Sequence, residues 1–290
     1  MQLSEFSIHA QNKIIYDRAI NYPYKQPDES FVYYNEKYYK IQNFFSDEPI
    51  IFIDNKKHDL LKLLKTIGYD YDKIKNRTQI LSYGSNSSHG QLIRKFKSLN
   101  DVLFPVINIK LKNFDTIYTS FITSYGAHPA TIINSENTYL YGTICYFDDK
   151  LLKIMDKTEG RGKTYELVEI LDSINPIEIN KNNEINSIKL EQSLKTYLSN
   201  KGALNFNNEY VAIKEIKNQN RHYNAMLQHE VMLHTLNYFK SFEKINIGNQ
   251  CFNNLNNFIL SNIQDPNLRK ERNMILNTNK LDYQFNCKIL

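Results

Sequence analysis

The sequence predicts an α+β fold in which a small mixed sheet is flanked by helices, and three observations predict it. Apolar and polar residues alternate in several short runs, of which 165–170 is the clearest, as in half-buried strands. Other segments repeat apolar residues every three or four positions, as 60–67 does, which is typical of amphipathic helices. The hydrophobic fraction of 41% over 290 residues is large enough for a real core and excludes a wholly disordered chain.

The chain divides into three predicted segments. Residues 1–75 form an N-terminal extension of unknown role, rich in Tyr, Asn and Lys. Residues 76–216 form the central α/β domain, and residues 217–290 form a mainly helical C-terminal extension. Amphipathic helices of this kind cover a face of a sheet or bind a partner, so the extensions are candidates for binding another protein.

The central segment alternates between the two patterns. Residues 79–83 predict a strand, and Ser88 with Gln91 has the S-x-x-Q form of a capping box, so a helix is expected to begin there. The elements predicted next are strands at 104–111, 116–123 and 139–147, a short helix capped by Asp148 or Asp149, a strand at 165–170, an Asn-rich inserted loop at 180–187, a helical segment containing Leu190, Leu194 and Leu198, and a strand at 209–213.

Charge and cysteine content exclude several classes of protein. The net charge of +5 is modest, and the densest basic cluster, 269–272, contains an acid, so nucleic-acid binding is not expected. Cys145, Cys251 and Cys287 are far apart and odd in number, which predicts neither a disulfide framework nor a metal site. There is no signal-peptide pattern and no apolar run near the roughly 20 residues of a membrane span. A cytoplasmic protein without a membrane partner is expected, and export without a cleaved signal stays open.

The first candidate site is the turn Tyr83-Gly84-Ser85-Asn86, between a predicted strand and a predicted helix. Such a turn leaves backbone N–H groups pointing outward at the positive end of the helix dipole, which suits an anion. Gly84 lets a ligand carboxylate approach the backbone closely. An ordinary strand-to-helix turn has the same residue types, so this motif alone does not decide between the two interpretations.

The second candidate site is Glu159, a lone carboxylate in the segment Met155-Asp156-Lys157-Thr158-Glu159-Gly160 after a short helix. Between the two sites lie the turn-like run 126–132, which starts at Gly126, and the strand-like run 139–146. An acid in a turn is common on protein surfaces, so the spacing alone leaves both interpretations of Glu159 open.

The order and spacing of these motifs resemble the γ-glutamylcyclotransferase family, with its avirulence-induced-gene-like and antibiotic-biosynthesis relatives. The resemblance covers about residues 78–170 and the strand near 210, and it implies a small β-barrel-like mixed sheet and no cofactor. It implies that Tyr83, Gly84, Ser85 and Asn86 hold the head of a γ-glutamyl substrate. A branch of the family specialised for glutathione breakdown carries a different residue at the position of Asn86.

The resemblance also implies a reaction in which the α-amine of the substrate attacks its own γ-amide carbonyl. The products are 5-oxoproline and a free amine, amino acid or peptide, and Glu159 is the implied general acid and base. Tyr165 is expected either to bind the substrate or to pack its ring into the core. The alternatives are a non-catalytic γ-glutamyl-binding or protein-interaction module, and a hydrolase or acyltransferase acting on γ-glutamyl amides.

Competing motifs are weaker. His229 and His234 are five residues apart, whereas a zinc-protease helix spaces its two histidines by four. Ser85 lies close to His89, but the G-x-S-x-G elbow of serine hydrolases is absent. No Walker loop or G-x-G-x-x-G occurs, so nucleotide binding has no support.

Overall fold

The computed structural model describes residues 2–180, 183–190, 192–241 and 254–290, with side chains from residue 11 onward. The N-terminal elements are α1 (Gln2–Ile20), β1 (Phe31–Tyr34), β2 (Lys37–Gln42), β3 (Ile50–Ile53), β4 (Lys56–Asp59), α2 (Leu60–Thr66) and α3 (Tyr71–Lys75). The central elements are β5 (Thr78–Ser82), α4 (His89–Phe96), β6 (Leu103–Tyr118), β7 (Ala130–Phe147), α5 (Asp149–Glu159), β8 (Tyr165–Ile170), β9 (Ile177–Asn180), β10 (Asn183–Ser187), β11 (Lys195–Ser199) and β12 (Ala212–Ile213). The last are β13 (Asn218–Gln219), β14 (Ala225–Met226), α6 (Gln228–Lys240), α7 (Leu255–Gln264), α8 (Pro266–Thr278) and β15 (Cys287–Ile289).

The strands build one mixed sheet, which confirms the predicted α+β class. Its main path runs β15-β8-β11-β5-β7-β6-β1-β2-β3-β4. Most neighbours are antiparallel, while β11 runs parallel to β5. Among the described residues the two ends of this path do not pair, so the barrel-like closure is not confirmed.

A long antiparallel hairpin of β6 and β7 forms the centre of the sheet, where the sequence predicted two separate strands at 104–111 and 116–123. One register joins Ile107 to Ile144, and it shifts at a bulge between Lys112 and Phe114. Asn113 takes a left-handed backbone there, with φ of 72°. The two predicted strands are therefore joined through a bulge, which adds twist without ending the ladder.

Two predictions near the C-terminal half of the central segment are wrong. Leu194 and Leu198 do not lie on a helix, because residues 195–199 form β11, paired with both β8 and β5. The spacing of the leucines fits a helix, but two neighbouring strands offer this segment a full set of backbone partners. The Asn-rich stretch is not a loop at 183–187, where β10 pairs with β9; residues 181 and 182 lie outside the described residues.

All three predicted segments contribute to one core. Leu64, Ile107 and Leu236 belong to a single cluster of buried apolar side chains. Within the described residues, α1 packs on α6 and α7, and α7 packs on α6 and α8. The boundaries at 76 and 217, and protein binding by the extensions, stay predictions. Cys251 lies outside the described residues. In the described part of the chain, no helix is both long and apolar enough to cross a bilayer.

Candidate active site

The predicted turn leads from the end of β5 into α4. A short 3-10 turn, Ser85–Ser87, lies between the strand and the helix. The helix begins after Ser88 as predicted, but the capping box is not formed. The Ser88 hydroxyl donates to the carbonyl oxygen of Ser85 at 3.0 Å, and the side-chain oxygen of Gln91 accepts from Arg94. The turn satisfies its own polar groups instead of the first turn of the helix.

Gly84 lies where two other segments approach the backbone. A Cβ at this position would lie 3.3 Å from the Cβ of Ala130 and 3.3 Å from the hydroxyl oxygen of Tyr22. Any larger residue would push against both neighbours. A glycine here keeps the backbone of the turn accessible from the cavity.

Glu159 is the last residue of α5. The Asp148 carboxylate accepts from the backbone N–H of Leu151 at 2.9 Å and starts the helix, as one of the two predicted caps. Gly160 ends the helix in the left-handed conformation, with φ of 65°. The Glu159 side chain is 13% exposed and faces the cavity. The two caps therefore fix where the carboxylate emerges.

Lys95, which was not predicted as a site residue, connects the two predicted sites. Its ammonium group pairs with Oε1 of Glu159 and donates to Oδ1 of Asn86 at 2.7 Å. The Lys95 side chain is only 3% exposed. A lysine is buried in this way when its charge is compensated and hydrogen-bonded. No sequence pattern signals this role, because Lys95 is one of many lysines and its charged partner Glu159 lies 64 positions away.

A chain of tyrosines forms one wall. The Tyr83 hydroxyl donates to the backbone carbonyl of Tyr197, and the Tyr197 hydroxyl donates to Oδ1 of Asp156 at 2.8 Å. Asp156 also pairs with Arg161 at 3.0 Å. Asp156 is therefore a structural acid near the end of α5, because both of its oxygens bind neighbouring side chains.

The backbone of Ala130 is held between two other tyrosines. The Tyr165 hydroxyl donates to the carbonyl oxygen of Ala130 at 2.7 Å, and the N–H of Ala130 donates to the hydroxyl oxygen of Tyr22 at 2.8 Å. The Tyr165 hydroxyl proton is therefore used in a hydrogen bond within the cavity wall. Among the described residues the Tyr22 proton has no acceptor, so it is available to a ligand. Tyr22 belongs to the N-terminal segment and was not predicted.

Burial raises the pKa of the phenols of Tyr22, Tyr83 and Tyr165 well above their usual range. All three are therefore neutral at physiological pH. They act as hydrogen-bonding groups and not as bases.

One cavity of about 360 Å³ unites all six residues predicted for the site. Its size lies within the range of small-molecule pockets. Its lining includes Tyr22, Tyr83, Gly84, Ser85, Asn86, Arg94, Lys95, Lys157, Glu159, Tyr165 and Arg269.

One fully buried histidine, His128, lies outside the cavity and has structural partners. The ring of His128 is fully buried, with Nδ1 3.0 Å from the carbonyl oxygen of Thr119 and Nε2 2.9 Å from Oγ1 of Thr235. Burial lowers the pKa of His128 to about 4, so the ring is neutral. Among the described residues, no group of three His, Cys, Asp or Glu side chains is arranged to hold a metal ion. The absence of a cofactor stays a prediction.

Comparison with known proteins gives partial likenesses only. No protein-family profile and no curated protein matches the chain. Among solved structures, one called a gamma-glutamyl cyclotransferase has 18% identity and a TM-score of 0.30, over 42% of this chain and 66% of that chain. An uncharacterized protein from Homo sapiens has 18% identity and a TM-score of 0.30, over 42% and 65%. An Arabidopsis thaliana protein solved in solution has 18% identity and a TM-score of 0.29, over 58% and 89%.

The aligned region spans just under two thirds of the first two of these proteins. TM-scores near 0.3 describe a partial correspondence of backbones, which by itself establishes neither a family nor an activity.

Proposed function

We propose that the protein is a γ-glutamylcyclotransferase-like enzyme that converts a γ-glutamyl group to 5-oxoproline and releases an amine, an amino acid or a peptide. The observation that carries this proposal is the bridge from Glu159 through Lys95 to Asn86. Among the described residues that line the cavity, Glu159 carries the one carboxylate, and the bridge holds it next to the turn that would bind a glutamyl head.

The reaction needs a mobile proton more than a strong nucleophile. The α-amine nitrogen forms a bond to the γ-carbonyl carbon, and the bond from that carbon to the leaving nitrogen breaks. The proton that the α-amine loses must reach the leaving nitrogen. A carboxylate within reach of both nitrogens can accept the proton and return it. Both reacting groups lie on one glutamyl unit, so no second substrate has to be positioned.

The two carboxylate oxygens of Glu159 have different surroundings. Oε1 is bound by Lys95, and among the described residues Oε2 has no hydrogen-bond partner. Lys95 therefore fixes the orientation of the carboxyl group while Oε2 remains for the substrate. The Tyr22 hydroxyl, beside Gly84, can donate to the substrate carboxylate or to the oxygen that becomes negative during attack.

The direct test is mass-spectrometric detection of 5-oxoproline from a panel of γ-glutamyl amino acids, amines and peptides. Wild type and Glu159→Gln would be compared, with Glu166→Gln as a control on the strand β8. Glu166 does not line the cavity. Product from wild type and from Glu166→Gln, but not from Glu159→Gln, supports the proposal. Free glutamate in place of 5-oxoproline would indicate a hydrolase.

A non-catalytic γ-glutamyl-binding module is the second candidate, and one observation favours it. The ammonium of Lys95 already occupies Oε1, so it competes with the substrate amine for the carboxylate. Binding of γ-glutamyl ligands without any product, in wild type and in Lys95→Met alike, would favour this module over the enzyme.

A further inference from the structure

The cavity has an excess of positive charge. Of the described residues that line it, four are cationic, Arg94, Lys95, Lys157 and Arg269, and one is anionic, Glu159. Lys95 and Glu159 compensate each other within the cavity. Arg94, Lys157 and Arg269 then remain, and we call these three residues the cationic rim.

No acidic side chain of the described residues pairs with the cationic rim. Arg94 donates through Nε to the side-chain oxygen of Gln91 at 2.9 Å, and Arg269 donates through Nη1 to the carbonyl oxygen of Asn262 at 2.5 Å. Both acceptors are neutral. Within the described part of the chain, none of the three rim residues forms an ion pair.

The rim comes from three separate elements, and its side chains are more exposed than that of Lys95. Arg94 is on α4, Lys157 is on α5 and Arg269 is on α8. Arg94 and Lys157 are exposed and Arg269 is partly buried, whereas Lys95 is buried beside Glu159. A ligand with its glutamyl head at Glu159 would therefore point its outer part towards these three cations.

We infer that the cationic rim selects γ-glutamyl conjugates whose leaving amine is acidic, with two or more carboxylates, such as glutamate or a short γ-linked glutamate chain. This inference rests on the proposed function and names the substrate class of the same site. Three uncompensated cations around one opening attract an anion and hold it by charge-assisted hydrogen bonds. A neutral amine gains nothing from them, and a basic amine is repelled.

The C-terminal segment would then take part in substrate selection. Arg269 lies on α8, in the segment 217–290, yet it lines the cavity with residues of α4 and α5. A specificity residue carried by an added helix would let the central sheet keep its chemistry while the leaving group changes.

The test uses two substrates of nearly equal shape. γ-Glutamylglutamate and γ-glutamylglutamine differ by one negative charge in the leaving group. We expect wild type to favour the glutamate conjugate by roughly tenfold in kcat/KM, mainly through KM, since each exposed charge contact contributes modestly. The preference should shrink at high ionic strength because salt screens exposed charges.

Two triple variants isolate the rim. Arg94→Gln, Lys157→Gln and Arg269→Gln together should turn over both substrates about equally. The control variant combines Lys97→Gln, Lys153→Gln and Lys270→Gln and removes the same total charge. These lysines lie beside α4, on α5 and on α8, at exposed positions that do not line the cavity. This control should keep the preference. If the rim triple variant does not fold, Arg94→Gln and Lys157→Gln are compared singly, each expected to lose part of it.

Equal turnover of the two substrates by wild type, or a preference that persists in the rim variants, would overturn the inference. Absence of 5-oxoproline from both substrates would count against the proposed function instead. In that case calorimetric binding of the two conjugates to the Glu159→Gln protein decides. Tighter binding of the glutamate conjugate that the rim variants lose supports the rim, and equal binding or none refutes it.

Discussion

The backbone N–H of Ala130 donates to the hydroxyl oxygen of Tyr22 at 2.8 Å, across 108 positions of the chain. Tyr22 follows α1, and Ala130 begins β7 next to the turn at Gly84. The N-terminal segment is thus part of the cavity wall and not an appendage to it. The same phenol keeps its proton for a ligand.

Tyr22→Phe tests both roles of this hydroxyl. The buried N–H of Ala130 loses its acceptor, which should lower the free energy of unfolding by about 1–3 kcal/mol in urea titrations. The rate of 5-oxoproline formation should also fall, and by more than the loss of folded protein accounts for. Tyr16→Phe is the matched control, because Tyr16 also packs on the core from α1 and its hydroxyl has no hydrogen bond among the described residues. Equal effects of the two variants would refute the assignment.

The pair of Lys95 and Glu159 should be coupled in stability. Lys95→Met leaves a nearly buried carboxylate without its cation, which should cost roughly 3 kcal/mol. The double variant Lys95→Met and Glu159→Gln removes both charges, so it should be more stable than the Lys95→Met single variant. Urea unfolding of wild type, of the single variants Lys95→Met and Glu159→Gln, and of the double variant gives the coupling energy. Strictly additive effects would mean that the two groups do not interact in solution.

Gly126 should tolerate no side chain. Its φ is 81°, and an added Cβ would lie 2.9 Å from Cδ1 of Ile263 on α7. Gly126→Ala should therefore lose about 2–3 kcal/mol, from the left-handed backbone and from overpacking together. Gly68→Ala separates the two causes, because Gly68 has φ of 82° and open space around it. Its loss should stay near 1 kcal/mol. Thermal melts that rank the two variants the other way would show that α7 is not packed here.

Glu178 should make stability depend on pH. Its side chain is 1% exposed on β9, and burial raises the pKa of this carboxyl from 4.5 to about 7. Between these two pH values the folded protein binds more protons than the unfolded chain. The free energy of unfolding should thus fall as pH rises from about 4.5 to 7, by about 3 kcal/mol, and level off above 7.

Glu178→Gln should remove that slope. Urea titrations of wild type and variant at several pH values between 4.5 and 8 provide the comparison. Glu184→Gln on the exposed strand β10 is the control, and it should keep the slope of the wild type. Parallel curves for wild type and Glu178→Gln would assign the dependence to other groups.

Local sequence patterns predicted the strands and helix ends that carry the site. The strand before Tyr83, the helix start after Ser88, the cap at Asp148 and the strand at Tyr165 all depend on residues close in sequence. The same local patterns located the turn and Glu159, but their role as a site came from the family resemblance, because the motifs alone left both interpretations open. The structure brings both to one cavity.

What the sequence could not show depends on contacts between distant segments. Lys95 and Tyr22 acquire their roles from partners 64 and 108 positions away. The leucines of 190–198 fit a helical spacing, and only the two strands beside β11 decide against it. The barrel-like closure came from the resemblance and not from any pattern in the residues, and the described strands do not show it.

The position of β11 has a consequence for how the protein is made. β5, which leads into the turn at Tyr83, has β7 on one side and β11 on the other, with Ile80 opposite Lys195. During synthesis β5 keeps an open edge until residues 195–199 have left the ribosome. Contacts of such long sequence separation close slowly, because a large loop must be ordered first. The wall made by Tyr83 and the Tyr197 carbonyl is therefore completed late, and a nascent chain cut before β11 would present an unpaired strand to its neighbours.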